Sequence, residues 1–198
     1  MVTTAEQGRL TRSRLMDAAA ELIAERGGGA VTTRLVAERA GLRPGLVHYH
    51  FNSVTDLLID SSLREAHTAI AQVLQAALAP TAPDPVGQLV AAGAALGTGP
   101  GHSGAVFIEM LLAARRHERL RSALADMLRQ ARAAIGQHVH AANPGADADA
   151  TAEVLLAALD GLLLHRLLDP AVSALSVGGP LRRLAGISEN RASERRNR

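Results

Sequence analysis

The chain has 198 residues, a formal net charge of +2 at pH 7 and 47% hydrophobic residues, enough apolar material for a folded core, which excludes a disordered chain. Cysteine is absent, which excludes disulfides, thiolate nucleophiles and cysteine-based zinc or iron–sulfur sites. Every apolar stretch is interrupted before about eighteen residues and the N-terminus lacks a signal-peptide pattern, so we expect a cytoplasmic protein with no membrane partner.

The charge is distributed unevenly along the chain. Residues 1–50 have 7 Arg against 5 acidic residues, residues 51–181 have 8 against 12, and residues 182–198 have 6 against 2. All 21 basic residues are arginine, because lysine is absent. This distribution favours a DNA-binding N-terminal region on a neutral-to-acidic body, and it leaves the role of the basic tail open.

The first predicted helix covers about residues 11–26. Leu15, Leu22 and Ile23 recur at helical spacing, with charged residues on the other faces. Three consecutive glycines at 27–29 end the helix.

Two short helices are predicted next, with a tight turn between them. Thr32 is a good N-cap for the second helix, and the small Ala37 and Ala40 allow another helix to cross it closely. Gly41 supplies the positive φ of a tight helix end. The third helix is expected over about 43–50, with a proline tolerated in its first turn. Such a helix-turn-helix places its second helix in the DNA major groove.

The rest of the chain is predicted to be helical, without strands or internal repeats. A capping-box spacing at 53–56 and an Asp-Pro pair at 84–85 mark two helix starts, and Gly-rich or Pro-containing segments at 97–101, 143–145 and 178–180 mark interruptions. The predicted helices are the fourth at about 54–78, the fifth from 84 to 97, the sixth around 106–111, the seventh from about 120 to 140, the eighth near 148–168 and a short ninth at about 181–184.

The N-terminal segment resembles the TetR family of bacterial transcriptional regulators. The family pattern is met by Ala37, Ala40-Gly41, Gly45 and His50-Phe51, in register over roughly the first 60 residues. Residues 115–124 and 157–170 are similar to the family's junction of the sixth and seventh helices and to its eighth helix.

Three positions depart from the family pattern. Arg43 stands where Ser or Thr usually opens the recognition helix, His48 stands where a phosphate-binding Tyr is usual, and Val54 replaces a Lys at the start of the next helix. Tyr49 lies one place after His48, so which of the two takes the phosphate-contact role stays open.

The resemblance implies an all-α protein with about nine helices. It implies a three-helix DNA-binding domain at residues 1–52 and a helical ligand-binding and dimerisation domain at 53–187, and we expect a disordered basic tail at 188–198. The implied function is that of a homodimeric repressor that a small molecule releases from a palindromic operator in double-stranded DNA. Activation instead of repression stays open.

The expected DNA contacts come from the starts of the second and third helices and from the far end of the third. Arg34 and Arg43 are the best base-reading candidates, because a guanidinium can fork onto guanine O6 and N7. The remaining candidates, expected at phosphates and the backbone, are Thr32, Thr33, Pro44, Gly45, His48, Tyr49 and His50. For His48 and His50 the alternative is a structural role against Phe51.

Binding to a palindromic site requires two copies of the DNA-binding domain, so we expect the protein to dimerise. The leucine-rich eighth helix is the predicted interface. The alternative is that this stripe faces its own body. The predicted interface residues are Leu155, Leu159, Leu162, Leu163, His165 and Arg166.

The resemblance also implies a small-molecule pocket between the fourth and seventh helices. Bulky apolar side chains and one polar group suit such a pocket, although each of them could equally be core. The candidates are His67, Phe107, Met110 and Met127. With two Phe and one Tyr, the pocket should be aliphatic, and no cofactor is implied.

The residues also allow two other function classes to be considered, a metal-dependent enzyme and a helical interaction module. A metal-dependent enzyme would need a His and carboxylate site drawn from His48, His50, Glu109, Glu118, Asp126, His138 and His140. Paired histidines two residues apart point about 200° apart on a helix, unlike the i, i+4 pairs of helical metal sites, so no enzyme is predicted. The second class is a helical interaction module without DNA binding, motivated by the three departures.

Overall fold

The computed structural model describes residues 3–78, 86–89, 91–92, 103–169, 171–172 and 175–186. We label the helical residues 86–89 and 91–92 as α5, and a short 3-10 helix spans Gly28–Ala30. The other helices are α1 (Thr4–Arg26), α2 (Thr33–Arg39), α3 (Gly45–His50), α4 (Val54–Ala77), α6 (Ser103–Ala114), α7 (Glu118–Ala142), α8 (Ala148–Leu168) and α9 (Gly178–Leu184). The described residues contain no strand, which confirms the predicted all-α class.

Helix α1 begins about seven residues earlier than the sequence pattern predicts. The Thr3 hydroxyl accepts a hydrogen bond from the Glu6 N–H, and the Glu6 carboxylate accepts one from the Thr3 N–H. This reciprocal capping box stabilises a first turn that carries no apolar stripe. At the other end, Gly27 has a φ of 73°, so the predicted glycine stop is confirmed.

Helix α4 starts at the predicted capping residues. The Ser53 hydroxyl accepts a hydrogen bond from the Asp56 N–H at 3.0 Å and donates one to the Asp56 carboxylate at 2.8 Å. The Asp56 N–H, one of the first turn's backbone donors without a helical partner, is satisfied in this way, and the bond between the two side chains holds the cap in place. The predicted range of about 54–78 agrees with the helix.

Near the C-terminus, the predicted interruption at 178–180 is wrong. These residues form the first turn of α9, which runs from Gly178 to Leu184. A proline in a first turn removes an N–H that has no helical partner there, so Pro180 does not break the helix. The predicted fifth-helix ends, the 97–101 loop and the disordered tail lie outside the described residues.

The chain divides into two units. The first unit contains residues 1–68 and 100–124, and the second contains 69–99 and 125–198. The predicted domain boundary at residue 52 stays a prediction, because this grouping joins the start of α4 and all of α6 to the first three helices.

Each unit has its own hydrophobic core. The first core is built on α1, α2 and α3 and includes the fully buried Leu15, Val36 and Val47. The second includes Ile135 of α7 and Leu155 of α8. Across the described part of the chain, no helix has the length and hydropathy needed to cross a bilayer.

Candidate nucleic-acid interface

Backbone hydrogen bonds fix the geometry of the turn between α2 and α3. The Thr32 hydroxyl caps α2 by accepting from the Leu35 N–H at 3.3 Å. At the other end, the Leu42 N–H donates to the Ala37 carbonyl at 2.8 Å and the Gly41 N–H to the Glu38 carbonyl at 3.0 Å. This pair of bonds is a Schellman motif, which requires the positive φ of 63° that Gly41 adopts.

Helix α2 is held to α1 by a forked ion pair. The Arg39 guanidinium contacts the Glu25 carboxylate at 2.7 and 2.8 Å and the Glu21 carboxylate at 3.0 Å. Hydrogen bonds to Glu25 first, and then to Glu21, raise the pKa of Arg39 above its ordinary value. Arg14 adds a bond of 2.7 Å to the Ala40 carbonyl. The guanidinium groups of Arg39 and Arg14 therefore hold α2 against α1.

Helix α3 presents one face to the core and another to solvent. Val47 is fully buried, whereas the side chains one turn apart on the outer side are exposed. Tyr49 is 80% exposed, an unusual state for a large aromatic side chain. The exposed residues of this outer face are Pro44, Gly45, His48 and Tyr49.

Two arginines at the ends of the motif are exposed and form no ion pair among the described residues. Arg34 lies in the first turn of α2, and Arg43 lies just before α3. By contrast, the scaffold arginines Arg12, Arg39 and Arg64 are all engaged with carboxylates. An arginine that forms no ion pair can bind the phosphates of a polyanion without first breaking an existing ion pair.

The remaining predicted contacts occupy different environments. Thr32 is exposed but its hydroxyl is already the α2 cap, and Thr33 is half-buried in the first turn. His50 is half-buried and packs edge-on against Tyr49, with ring centroids 4.9 Å apart. A side chain added at Gly8 of α1 would lie 3.9 Å from the His50 ring. His50 therefore faces α1 rather than the outer surface.

The sequence analysis missed a group of charged side chains behind α3. The Arg12 guanidinium lies over the Phe51 ring at 4.5 Å and contacts the Asp60 carboxylate at 2.5 Å. The other oxygen of Asp60 is contacted by Arg119 of α7. These residues are 48 and 59 positions apart in the chain, so helical periodicity gives no signal for their pairing.

Helix α8 divides the predicted interface residues between its faces. Leu155 and Leu163 are 2% and 6% exposed, so these two side chains pack within their own chain. For them, the alternative interpretation of the leucine stripe applies. Arg166 is buried as well, Leu159 and Leu162 are half-buried, and His165 is exposed. The sequence could not separate these faces, because leucines occur on every side of the helix.

A different set of apolar residues forms the exposed face of α8. Val154, Leu164 and Leu168 are 50%, 42% and 76% exposed. They belong to positions spaced alternately by four and three residues, the pattern of a helix–helix seam. These positions, which we call the α8 seam, are Ala150, Val154, Ala157, Gly161, Leu164 and Leu168.

The four ligand candidates are not gathered in one unit. His67, Phe107 and Met110 lie in the first unit and Met127 in the second. His67 is exposed, whereas Met110 and Met127 are buried. A groove of about 410 Å³ in the first unit is lined by Met110, among others, but not by His67 or Phe107. Within the described residues, no three His or acidic side chains lie close enough to hold a metal ion.

The geometry defines a helix-turn-helix DNA-binding protein, and the comparisons with known proteins agree. Residues 15–60 match the bacterial regulatory proteins of the tetR family, and residues 93–186 match the tetracyclin repressor-like C-terminal domain. The HTH-type transcriptional regulator BetI of Rhizobium meliloti is 30% identical over 163 residues, which cover 81% of this chain and 79% of that protein.

Solved structures show the same fold over nearly the whole chain. A TetR-family member from Streptomyces coelicolor A3 is 28% identical with a TM-score of 0.73, covering 88% of this chain and 97% of that one. A transcriptional regulator from Saccharomonospora viridis, solved in complex with choline, is 25% identical with a TM-score of 0.74, covering 92% and 97%. The chain belongs to the TetR family and is a DNA-binding transcriptional regulator.

Proposed function

We propose that this regulator is a homodimeric repressor that binds a palindromic operator and is released from it by a small molecule. The observation that carries the proposal is the outer surface of α3, where exposed Tyr49 and His48 lie beside an exposed Arg43 that forms no ion pair among the described residues. Exposed cations and hydrogen-bonding rings on a short helix match the donors that base edges and phosphates accept.

Within this surface the roles divide by chemistry. Arg43 and Arg34 read bases, because each guanidinium has a free fork of donors. His48, Tyr49 and Thr33 contact phosphates, Pro44 and Gly45 allow the start of α3 to approach the backbone closely, and Thr32 contributes through the α2 cap. His50 supports Tyr49 from behind, consistent with its edge-on packing.

Dimerisation uses the α8 seam. An exposed row that includes Val154, Leu164 and Leu168 buries apolar surface when a second copy packs against it, and the exposed Leu184 of α9 extends the same kind of surface. His165 lies at its edge. The leucines on the other faces of α8 then support the interface by packing within their own chain. They are Leu155, Leu159, Leu162 and Leu163.

Selection of bound DNA from a random duplex pool tests the proposal. We expect an inverted repeat with half-sites centred about one helical turn apart, bound by two chains. Arg43→Ala should weaken binding to the selected duplex, whereas Arg129→Ala, an exposed arginine of α7 in the second unit, should not. A pool that yields no enriched duplex would favour an interaction module without DNA binding, whereas equal binding by both variants would remove Arg43 from the DNA contacts.

A further inference from the structure

The second unit contains a buried arginine with an unsatisfied donor. Arg166 of α8 is 7% exposed, and its Nε has no hydrogen-bond partner. No ion pair to its guanidinium occurs among the described residues. Arginine cannot shed its proton in a protein, so the buried group stays charged. A buried charge without a counter-charge is strongly unfavourable.

None of the acidic residues that the structure describes in the second unit forms an ion pair with Arg166. Asp126 and Glu153 pair with Arg129 and Arg132, and Asp147 caps α8. The other acidic residues described there are Asp149, Asp160 and Asp169. Asp169 accepts a hydrogen bond from the Ala171 N–H, and Asp149 lies against Gly136.

Asp169, the C-cap of α8, lies three residues after Arg166 and forms no ion pair with it. Within the helix itself, Asp160 is the acidic residue closest in sequence to Arg166, and it does not serve as the counter-ion. Asp160 and Arg166 are six residues apart, which corresponds to about 240° around the helix axis, so their side chains lie on different sides of α8. Desolvation, with a smaller contribution from the Glu153 carboxylate, raises the pKa of Asp160 to about 6. An ion pair with an arginine would lower that pKa instead.

Arg166 faces the interior of its own unit. It lies within about 60° of Ala152, Leu155 and Leu163 around the helix axis, and all three are buried. The α8 seam lies about 120° to 200° away. A second copy seated on the α8 seam therefore cannot supply the missing negative charge.

The surroundings of Arg166 are aliphatic. Leu162 and Leu163 lie one turn before it, at the spacing where helix side chains touch. All three Phe and Tyr residues of the chain, at 49, 51 and 107, belong to the first unit and the chain has no Trp, so the second unit contains no Phe, Tyr or Trp ring. A cation would find neither a ring face nor a free acid beside Arg166.

We infer that the effector of this regulator is an organic carboxylate with an aliphatic tail, bound inside the second unit with its carboxylate on Arg166. The planar guanidinium matches a carboxylate through two parallel hydrogen bonds, and the leucines match the tail. This inference rests on the proposed function, because it names the chemistry of the releasing molecule. It also separates this chain from the similar regulator solved with choline, a cation.

The test uses thermal unfolding of the full chain with a series of straight-chain carboxylates from acetate to decanoate. The matched probes are the primary amides of the same chains, choline and inorganic phosphate. We expect Tm to rise with the longer carboxylates and to stay unchanged with the amides and with choline. The rise should disappear in Arg166→Met and persist in Arg129→Met, an exposed arginine of the same unit.

Unfolding without any ligand gives an independent readout. Removing an uncompensated buried charge should raise the Tm of Arg166→Met by a few degrees, because the methionine fills similar space without desolvating a cation. A lower Tm would show that another part of the chain neutralises Arg166 and would overturn the inference. So would stabilisation by the amides, by choline or by phosphate alone.

The two proposals can fail separately. If carboxylates stabilise the protein through Arg166 but leave its affinity for the selected duplex unchanged, the ligand site stands and release by this ligand is wrong. If duplex binding fails altogether, thermal unfolding still decides the ligand chemistry. If an uncharged molecule releases the duplex and carboxylates do not bind, repression by release stands and this inference is wrong.

Discussion

The two units differ in how they satisfy their charged and apolar groups. In the first unit, Arg12, Arg39 and Arg64 pair with carboxylates of neighbouring helices, whereas Arg34 and Arg43 of the proposed DNA-binding surface form no ion pair among the described residues. In the second unit, Arg166 is buried with no ion pair among the described residues, and the α8 seam is exposed. The scaffold charges of the first unit are thus paired within one chain, whereas the second unit contains the two features to which we assign a carboxylate ligand and a second copy of the chain.

The largest expected effect comes from breaking the α8 seam. Leu164→Glu places a charge within this exposed apolar row, so we expect single chains in sedimentation and a loss of affinity for the selected duplex of about 10²- to 10⁴-fold, the usual gain from linking two binding modules. Leu111→Glu on α6 is the control, because Leu111 is 40% exposed and Leu164 is 42% exposed. A dimeric Leu164→Glu protein would remove the α8 seam from the interface.

The next effect concerns the free cations of the first unit. Arg43→Ala should weaken duplex binding by about 1–3 kcal/mol, which is about 5- to 150-fold, and should relax preference at one base pair of each half-site. Titration of fluorescent duplexes with single substitutions measures both quantities. A uniform loss across all sequences would instead assign Arg43 to a phosphate.

A smaller effect tests the turn that holds the reading helix. Gly41→Ala forces an L-residue into a φ of 63°, so we expect a loss of about 1–2 kcal/mol in the free energy of unfolding. Urea unfolding measures it. Gly28→Ala is the control, because an added Cβ there meets nothing within 4 Å, and it should change stability by less than about 0.5 kcal/mol.

The smallest expected effect concerns the ionisation of Asp160 in the second unit. The pKa of Asp160 is raised from 3.8 to about 6, so ionisation of this group disfavours the folded state as pH rises through 6. We expect Asp160→Asn to raise Tm at pH 7 to 8 by only about one or two degrees, because the side chain is exposed and solvent screens its charge, with the gain vanishing by about pH 4. Asp149→Asn, a change of the same charge at another exposed position of α8, is the control, and equal pH profiles would contradict the assignment.

Local signals predicted much of the first unit. The Thr32 cap, the small Ala37 and the positive φ of Gly41 act within one turn of the chain, so the sequence alone locates the motif. The Thr3 and Glu6 capping box was equally readable from its four-residue spacing, although the absence of an apolar stripe concealed it. The resulting surface brings Arg43, Pro44, Gly45, His48 and Tyr49 together, as predicted for a helix start and its next turn.

Orientation within the second unit was beyond such signals. Helix α8 carries leucines all round, so only packing decides that Leu155 is buried and Leu164 exposed. Pairing over long separations, such as Arg12 with Asp60, depends on how helices cross and not on any local pattern. The buried state of Arg166 follows from the same cause, which is why the sequence suggested an interface position for it.

Asp60 links movements at the two ends of the first unit. One carboxylate oxygen contacts Arg12, which covers Phe51 directly after the reading helix, and the other contacts Arg119 in the first turns of α7. Because a single carboxylate joins both arginines, the start of α7 and the residue directly after α3 share one charged partner. Replacing Asp60 with Ala would therefore remove both contacts at once.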